Sequence, residues 1–239
     1  MKKQFNFFSL ATLIVAAPAY GEVVNYNNTV ASPALISPWG PNNTATYGET
    51  FTAPGTGSQT ALNDWSFYLQ AQASGKATYF QADIYAWSGG MEGINAGQAV
   101  GSPIFSQSSS VTPDGTLQAI TINTGGAALL TPGNNYVAFF TVSDPASNLA
   151  NRGNSGSFNF AMGVGGIGGH SPADGGGSFQ WDNNTSFSDL TSRTWSTFAD
   201  VGALAWNADF NFTPEATPEP STLALAGLGI AGLMAARRK

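Results

Sequence analysis

The sequence predicts an all-β fold: an antiparallel β-sandwich of the jelly-roll kind, flanked by an N-terminal signal helix and a C-terminal hydrophobic helix. Three observations carry this reading. Apolar and polar residues alternate with period two over many short runs. Turn-forming residues (Gly, Pro, Asn, Asp) separate those runs at short intervals. Between the termini, no apolar pattern keeps a helical period for longer than two turns. Many short strands at this spacing describe a two-sheet sandwich.

The first clear run is Trp65-Ser66-Phe67-Tyr68-Leu69, bounded by Asn63-Asp64 and Ser74-Gly75. Lys76 to Trp87 follows, placing Phe80, Ala82 and Ile84 on one face and Tyr79, Asp83, Tyr85 and Trp87 on the other. Pro113-Asp114-Gly115 is a turn leading into Leu117 to Thr124. Thr131-Pro132-Gly133-Asn134-Asn135 turns the chain into Tyr136 to Val142, apolar enough for a central strand. Phe158 to Val164 and Ser178 to Trp181 are shorter strands. In Leu204 to Phe212, Leu204, Trp206, Ala208, Phe210 and Phe212 point inward while Asn207, Asp209 and Asn211 point outward. Gly163 to Gly177, with eight glycines, reads as a flexible loop around His170.

Both termini read as address labels. Lys2-Lys3, the apolar run Phe7 to Ala17 and Ala17-Pro18-Ala19 follow the order of a secretory signal peptide, with cleavage expected after Ala19. Its 11 apolar residues are too few to span ~30 Å of hydrocarbon. At the other end stand Pro218-Glu219-Pro220-Ser221, an apolar run from Thr222 to Ala236, and Arg237-Arg238-Lys239. That run would form a helix of ~22 Å, a short membrane segment whose terminal cations stay cytoplasmic. The chain therefore divides into a signal peptide (1–19), an ectodomain (20–213), a linker (214–217) and a sorting tail (218–239).

The tail resembles the PEP-CTERM sorting signal of exosortase-processed bacterial proteins, matching its motif, apolar helix and basic end in order. The resemblance implies that Pro218, Glu219, Pro220, Ser221, Arg237 and Arg238 form a tag read by a membrane protease, exosortase, and then removed. It implies transient insertion in the inner membrane, then residence at the cell surface or in the extracellular matrix. Thr50 to Ala53, Leu62 to Leu69, Ile84 to Trp87 and Leu130 to Tyr136 also look like the jelly-roll ectodomains often found with such tails. That similarity spans roughly residues 44–143. Gly227-Leu228-Gly229-Ile230-Ala231-Gly232 satisfies G-x-G-x-x-G, but no strand precedes it and no βαβ unit can follow, so it is read as small residues in a membrane helix.

Composition narrows the function. Only 9% of the 239 residues are charged, against about 25% for an average soluble domain. Five of the eight Lys and Arg lie in the two labels, leaving Lys76, Arg152 and Arg193 between them. Glu22 to Thr217 holds 3 basic and 13 acidic residues, a net charge of 3 − 13 = −10. Nucleic acid is therefore no expected partner, since phosphate binding needs clustered cations. The expected partners are the secretion machinery and exosortase, with an extracellular polysaccharide as the partner under the alternative, carbohydrate-binding reading. With no Cys, neither disulfides nor thiolate zinc can stabilise the exported domain.

No enzymatic activity is expected. His170 is the sole histidine; a triad with Ser171 or Ser155 and Asp174 or Asp182 would lie in a Gly-rich loop, and no G-x-S-x-G elbow exists. No cofactor is expected: Asp182-Asn183-Asn184 and Asp189 read as ordinary Asx turns, with structural calcium held by their oxygen ligands as the alternative. Tyr79, Asp83, Tyr85 and Trp87 could form a carbohydrate-binding face, with rings stacking on pyranose faces and the carboxylate accepting hydroxyls. The competing account packs that face under a loop or a second layer. The functional expectation is a structural or adhesive surface protein, with a carbohydrate-binding module as the alternative.

Overall fold

In the computed structural model, the described residues are 21–27, 29, 33–40, 44–70, 77–91, 97–143, 158–161, 179–183, 187–196 and 208–215. Their regular structure is eleven strands: β1 (Val24–Asn27), β2 (Leu35–Trp39), β3 (Thr46–Thr52), β4 (Thr60–Gln70), β5 (Thr78–Gly89), β6 (Gly97–Val111), β7 (Leu117–Leu130), β8 (Asn135–Thr141), β9 (Phe158–Ala161), β10 (Phe179–Asp182) and β11 (Ala208–Pro214). A short 3-10 turn, Phe187–Thr191, follows β10. Both terminal helices expected from the sequence lie outside the described residues. Among those residues no helix is long and apolar enough to cross a membrane.

All strand ladders are antiparallel, in two sheets. One runs β10-β3-β8-β5-β6. In the other, β4 is central: β7 pairs with it from Thr60 to Gln70 along one edge. The opposite edge is shared, with β11 on Thr60 to Phe67 and β9 on Leu69-Gln70. β1 pairs on β11, and β2 on β9. Consecutive strands change sheet at every step except β1 to β2 and β5 to β6.

The turns follow from their residues. Pro132 and Gly133 (φ +80°) occupy the centre of a turn closed by the Asn134 N–H on the Thr131 carbonyl at 3.2 Å, joining β7 to β8. Pro fixes φ at the first central position, and only Gly accepts the positive φ at the second without strain. At Pro113-Asp114-Gly115-Thr116, the Asp114 carboxylate accepts both the N–H (2.8 Å) and the hydroxyl (2.7 Å) of Thr116. These bonds hold its pKa below the usual carboxylate range.

The core between the sheets is aromatic. Phe67 of β4 meets Phe140 of β8 at 4.9 Å, and Phe51 of β3 meets Phe210 of β11 at 5.0 Å. Phe80 of β5 lies 4.6 Å from Phe140 and 5.5 Å from Trp39. Trp39 donates its indole N–H to the Ala45 carbonyl at 3.0 Å, so its polar end is satisfied inside the core. The predicted inward set on β5 (Phe80, Ala82, Ile84) and on β11 (Ala208, Phe210, Phe212) lines this core.

Three expectations shift. β6, fifteen residues long, was not expected as a strand, because Gly101, Pro103 and a Ser run mask its alternation. β7 continues past Thr124 to Leu130. β11 runs through Pro214, which pairs with Thr60, so the linker expected from residue 214 starts one residue too early, inside the strand.

Candidate functional site

The outer face of the five-stranded sheet carries the residues singled out for sugar recognition, and that face is covered. Asp83, Tyr85 and Trp87 are 0%, 3% and 6% exposed; only Tyr79, at the β6-flanked end of β5, is open at 39%. The alternation had placed Asp83 on the outer side correctly, but not in solvent. Tyr85, Trp87, Ala99, Val137, Phe139, Leu190 and Trp195 form a second buried cluster there. Tyr85 stacks on Phe139 at 5.6 Å, and Trp195 meets Phe139 at 5.2 Å. Those ring faces are occupied by other rings. The Asp83 carboxylate accepts the Ser106 hydroxyl, whose oxygen in turn accepts the Gln81 amide. Ser108 donates to Gln81 Oε1 at 2.8 Å, and the hydroxyls of Thr46 and Thr141 lie 2.6 Å apart. In register these form a polar row, Ser108–Gln81–Thr141–Thr46–Asp182, across all five strands.

Asp182 ends that row. Burial is the main cause that pushes its pKa up to about 6; the Arg193 charge opposes the rise and Asp189 adds to it. The structure thus brings together the two carboxylates considered for calcium, but with a cation beside them. Among the described residues no three Asp, Glu, His or Cys side chains converge as metal ligands.

The outer face of the six-stranded sheet is different. Cross-strand register aligns Asn25, Asn211, Asp64 and Asn123 in one row and Asn27, Asp209, Ser66 and Thr121 in the next. Asn25, Asn27, Thr121 and Asn123 are exposed. Ser66 and Thr121 hydroxyls lie 2.7 Å apart. Burial raises the pKa of Asp64, and burial followed by the charge of Asp64 raises that of Asp209. The face is an array of amide, hydroxyl and carboxylate groups suited to hydroxylated ligands. Sequence reasoning saw one strand of it, the outward Asp209 and Asn211. The rest depends on register, which no single strand encodes.

A cleft of about 260 Å³ lies at the opposite end of the five-stranded sheet, lined by Ala86, Trp87, Gly133, Asn134, Asn135 and Tyr136. Its polar groups are partly engaged: Trp87 donates to the Gly90 carbonyl at 2.8 Å, and Thr52 donates to Asn135 Oδ1 at 3.0 Å.

Pro218, Glu219, Pro220, Ser221, Arg237, Arg238 and His170 lie outside the described residues, as does the signal segment. The comparison with known families bears on the tail: the family model of the PEP-CTERM protein-sorting motif matches residues 216–239. No curated protein and no solved structure matches the chain. The motif marks an exported protein sorted through exosortase, which is its processing partner.

Proposed function

We propose that the sandwich is a non-enzymatic structural or adhesive ectodomain, exported through its signal peptide and released to the cell surface or matrix when its tail is cut. The jelly-roll assignment belongs to this reading and is supported by the repeated change of sheet between consecutive strands. The observation that carries it is the junction. Glu215 donates its N–H to the Gln59 carbonyl at 2.9 Å, and the sorting motif begins at the next residue. β11, between β1 and β4, is complete before the motif starts. A cut near Pro218 to Ser221 therefore leaves every described strand intact. Replacing Pro218-Glu219-Pro220 with alanines tests it: export continues, and the tail stays on. A mature mass equal to that of the native protein would overturn the sorting assignment.

The second reading, binding of an extracellular polysaccharide, draws its support from the polar rows of Asn25, Asn211, Asp64 and Asn123 rather than from Tyr85 and Trp87. Retention on neutral polysaccharides that is lost in Asp64→Ala would favour it; no retention on any glycan would remove it.

A further inference from the structure

The two flanking strands β6 and β7 are edges, and they are edges of an unusual kind. Among the described residues each has a paired strand on one side only, β5 for β6 and β4 for β7. An unpaired edge presents a row of N–H and C=O groups, and natural sheets blunt such rows with charges, prolines, bulges or covering segments. From Gly97 to Ser143 the sole charged residue is Asp114, at the tip of the turn joining the two strands.

Both edges carry the same interruption. Residues 101–104 of β6 stand opposite the single residue Tyr85, between the pairs Val100–Ala86 and Phe105–Ile84. Residues 124–127 of β7 stand opposite Asn63, between Asn123–Asp64 and Ala128–Leu62. Gly101 (φ +78°), Gly125 (φ +59°) and Gly126 (φ +79°) supply the left-handed backbone these bulges need. The longest regular stretch of the β7 edge is thereby Leu117 to Asn123.

That segment, Leu-Gln-Ala-Ile-Thr-Ile-Asn, has no charge, no proline and no glycine, and β-branched residues at its centre. These are the properties of a strand that adds readily to another. β6 differs, with Pro103 and Ser108-Ser109-Ser110 along its length. Beside the β7 edge the mouth of the sandwich is apolar: Ile104, Phe105 and Ile120 pack on the core and are only partly buried.

We propose that residues 117–123 of β7 pair antiparallel with the same residues of a second copy. The pairing is isologous and centred on Ile120. Ala119 then faces Thr121 of the other copy, and the two Ile120 side chains meet, extending both cores across the join. Charge selects this flank. A domain of net charge −10 repels its own kind over most of its surface, whereas here one carboxylate lies at the turn and none along the strand. The bulge at 124–127 fixes the register and stops the pairing from running on, which favours a closed dimer over a fibre.

This deepens the structural reading above, yet it can fail alone, because tail processing does not depend on it. The absence of native cysteine permits a direct test in the exported full chain. Ala119→Cys and Thr121→Cys chains, produced together and oxidised, should form a disulfide-linked dimer. Leu129→Cys, 52% exposed on the same strand beyond the bulge, should not. In sedimentation, Ala119→Lys should raise the dimer dissociation constant roughly tenfold with its circular dichroism unchanged. The proposal is overturned if the 119–121 pair gives no crosslink, if Leu129→Cys crosslinks equally, or if Ser108→Lys on β6 dissociates the dimer while Ala119→Lys does not.

Discussion

Trp87 and Trp195 meet edge to face, their ring centroids 5.7 Å apart at an interplanar angle of 89°. Trp195 belongs to no strand, yet it is fully buried on the outer face of the five-stranded sheet. Its indole N–H donates to the Leu190 carbonyl at 2.7 Å and its backbone N–H to the Gly97 carbonyl at 2.9 Å. With both polar groups satisfied, the ring contributes its apolar surface without a desolvation cost. Trp195→Ala should therefore cost about 3–5 kcal/mol of stability, as expected for truncating a buried tryptophan. Urea unfolding measures this directly. A loss below about 1 kcal/mol would mean that the cover contributes little to the fold.

Gly97 is the backbone seat of that cover. A Cβ at this position would lie 2.4 Å from the Ser88 carbonyl oxygen and 2.6 Å from Trp87 Nε1. Neither can yield, because Ser88 is held in the β5–β6 ladder and the Trp87 indole is bonded to Gly90. Gly97→Ala should destabilise by about 1–3 kcal/mol through overpacking. Gly133→Ala is the comparison: open space surrounds it, but φ is +80°, so it should lose about 1–2 kcal/mol through backbone strain alone. Unfolding in Gly97→Ala should also lower the protection of Trp87 from fluorescence quenchers, which Gly133→Ala should not.

The inward faces of the strands were legible because alternation needs only local sequence: Phe80, Ala82 and Ile84 on β5, and Phe210 and Phe212 on β11, lie where their spacing put them. The outward faces were legible only as polarity. Tyr85 and Trp87 sit on the expected side and are buried nonetheless, because the cover comes from Leu190 and Trp195, about a hundred residues away in the chain. β6 was hidden for another reason: its interruption at 101–104 breaks the period that reveals a strand. The polar rows on the six-stranded sheet needed register among β1, β11, β4 and β7, a tertiary property. The sorting tail was fully legible, since its order of motif, apolar run and cations is itself linear.

Asp182 makes stability depend on pH in a direction opposite to that of a typical surface carboxylate. Its pKa rises from 3.8 to about 6 on folding, chiefly through burial. The folded state thus holds its proton more tightly than the unfolded state. Its unfavourable contribution is absent below the unfolded pKa, grows as pH climbs from about 4 to 6, and is constant above that. Asp182→Asn removes the charge and should raise the melting temperature at pH 7.5, with the gain shrinking toward zero at pH 4. An equal gain at both values would assign the effect to packing rather than to ionisation. A loss at pH 7.5 would show that attraction to Arg193 outweighs desolvation.

Removal of the tail should leave the melting temperature unchanged, whereas removal of the next four residues, Phe212 to Glu215, should not be tolerated. Glu215 is anchored by its N–H on Gln59 and by its carboxylate accepting the Ser58 hydroxyl. Before it, Thr213 accepts the Asn63 amide at 2.8 Å. Phe212 packs 5.5 Å from Phe51 and 5.0 Å from Tyr26, while Phe210 lies 5.0 Å from Phe51. A chain ending at Glu215 keeps every one of these contacts. A chain ending at Asn211 loses Phe212, the Thr213 bond and the pairing of Pro214 with Thr60. Phe212 alone should cost about 3–5 kcal/mol, a large share of the about 5–15 kcal/mol that holds a domain folded. Thermal melts of the two truncations, read against the processed protein, decide the matter. Equal melting of the Glu215-ended chain and the processed protein is expected, because a sorting signal that is cut away must carry none of the stability of what it delivers.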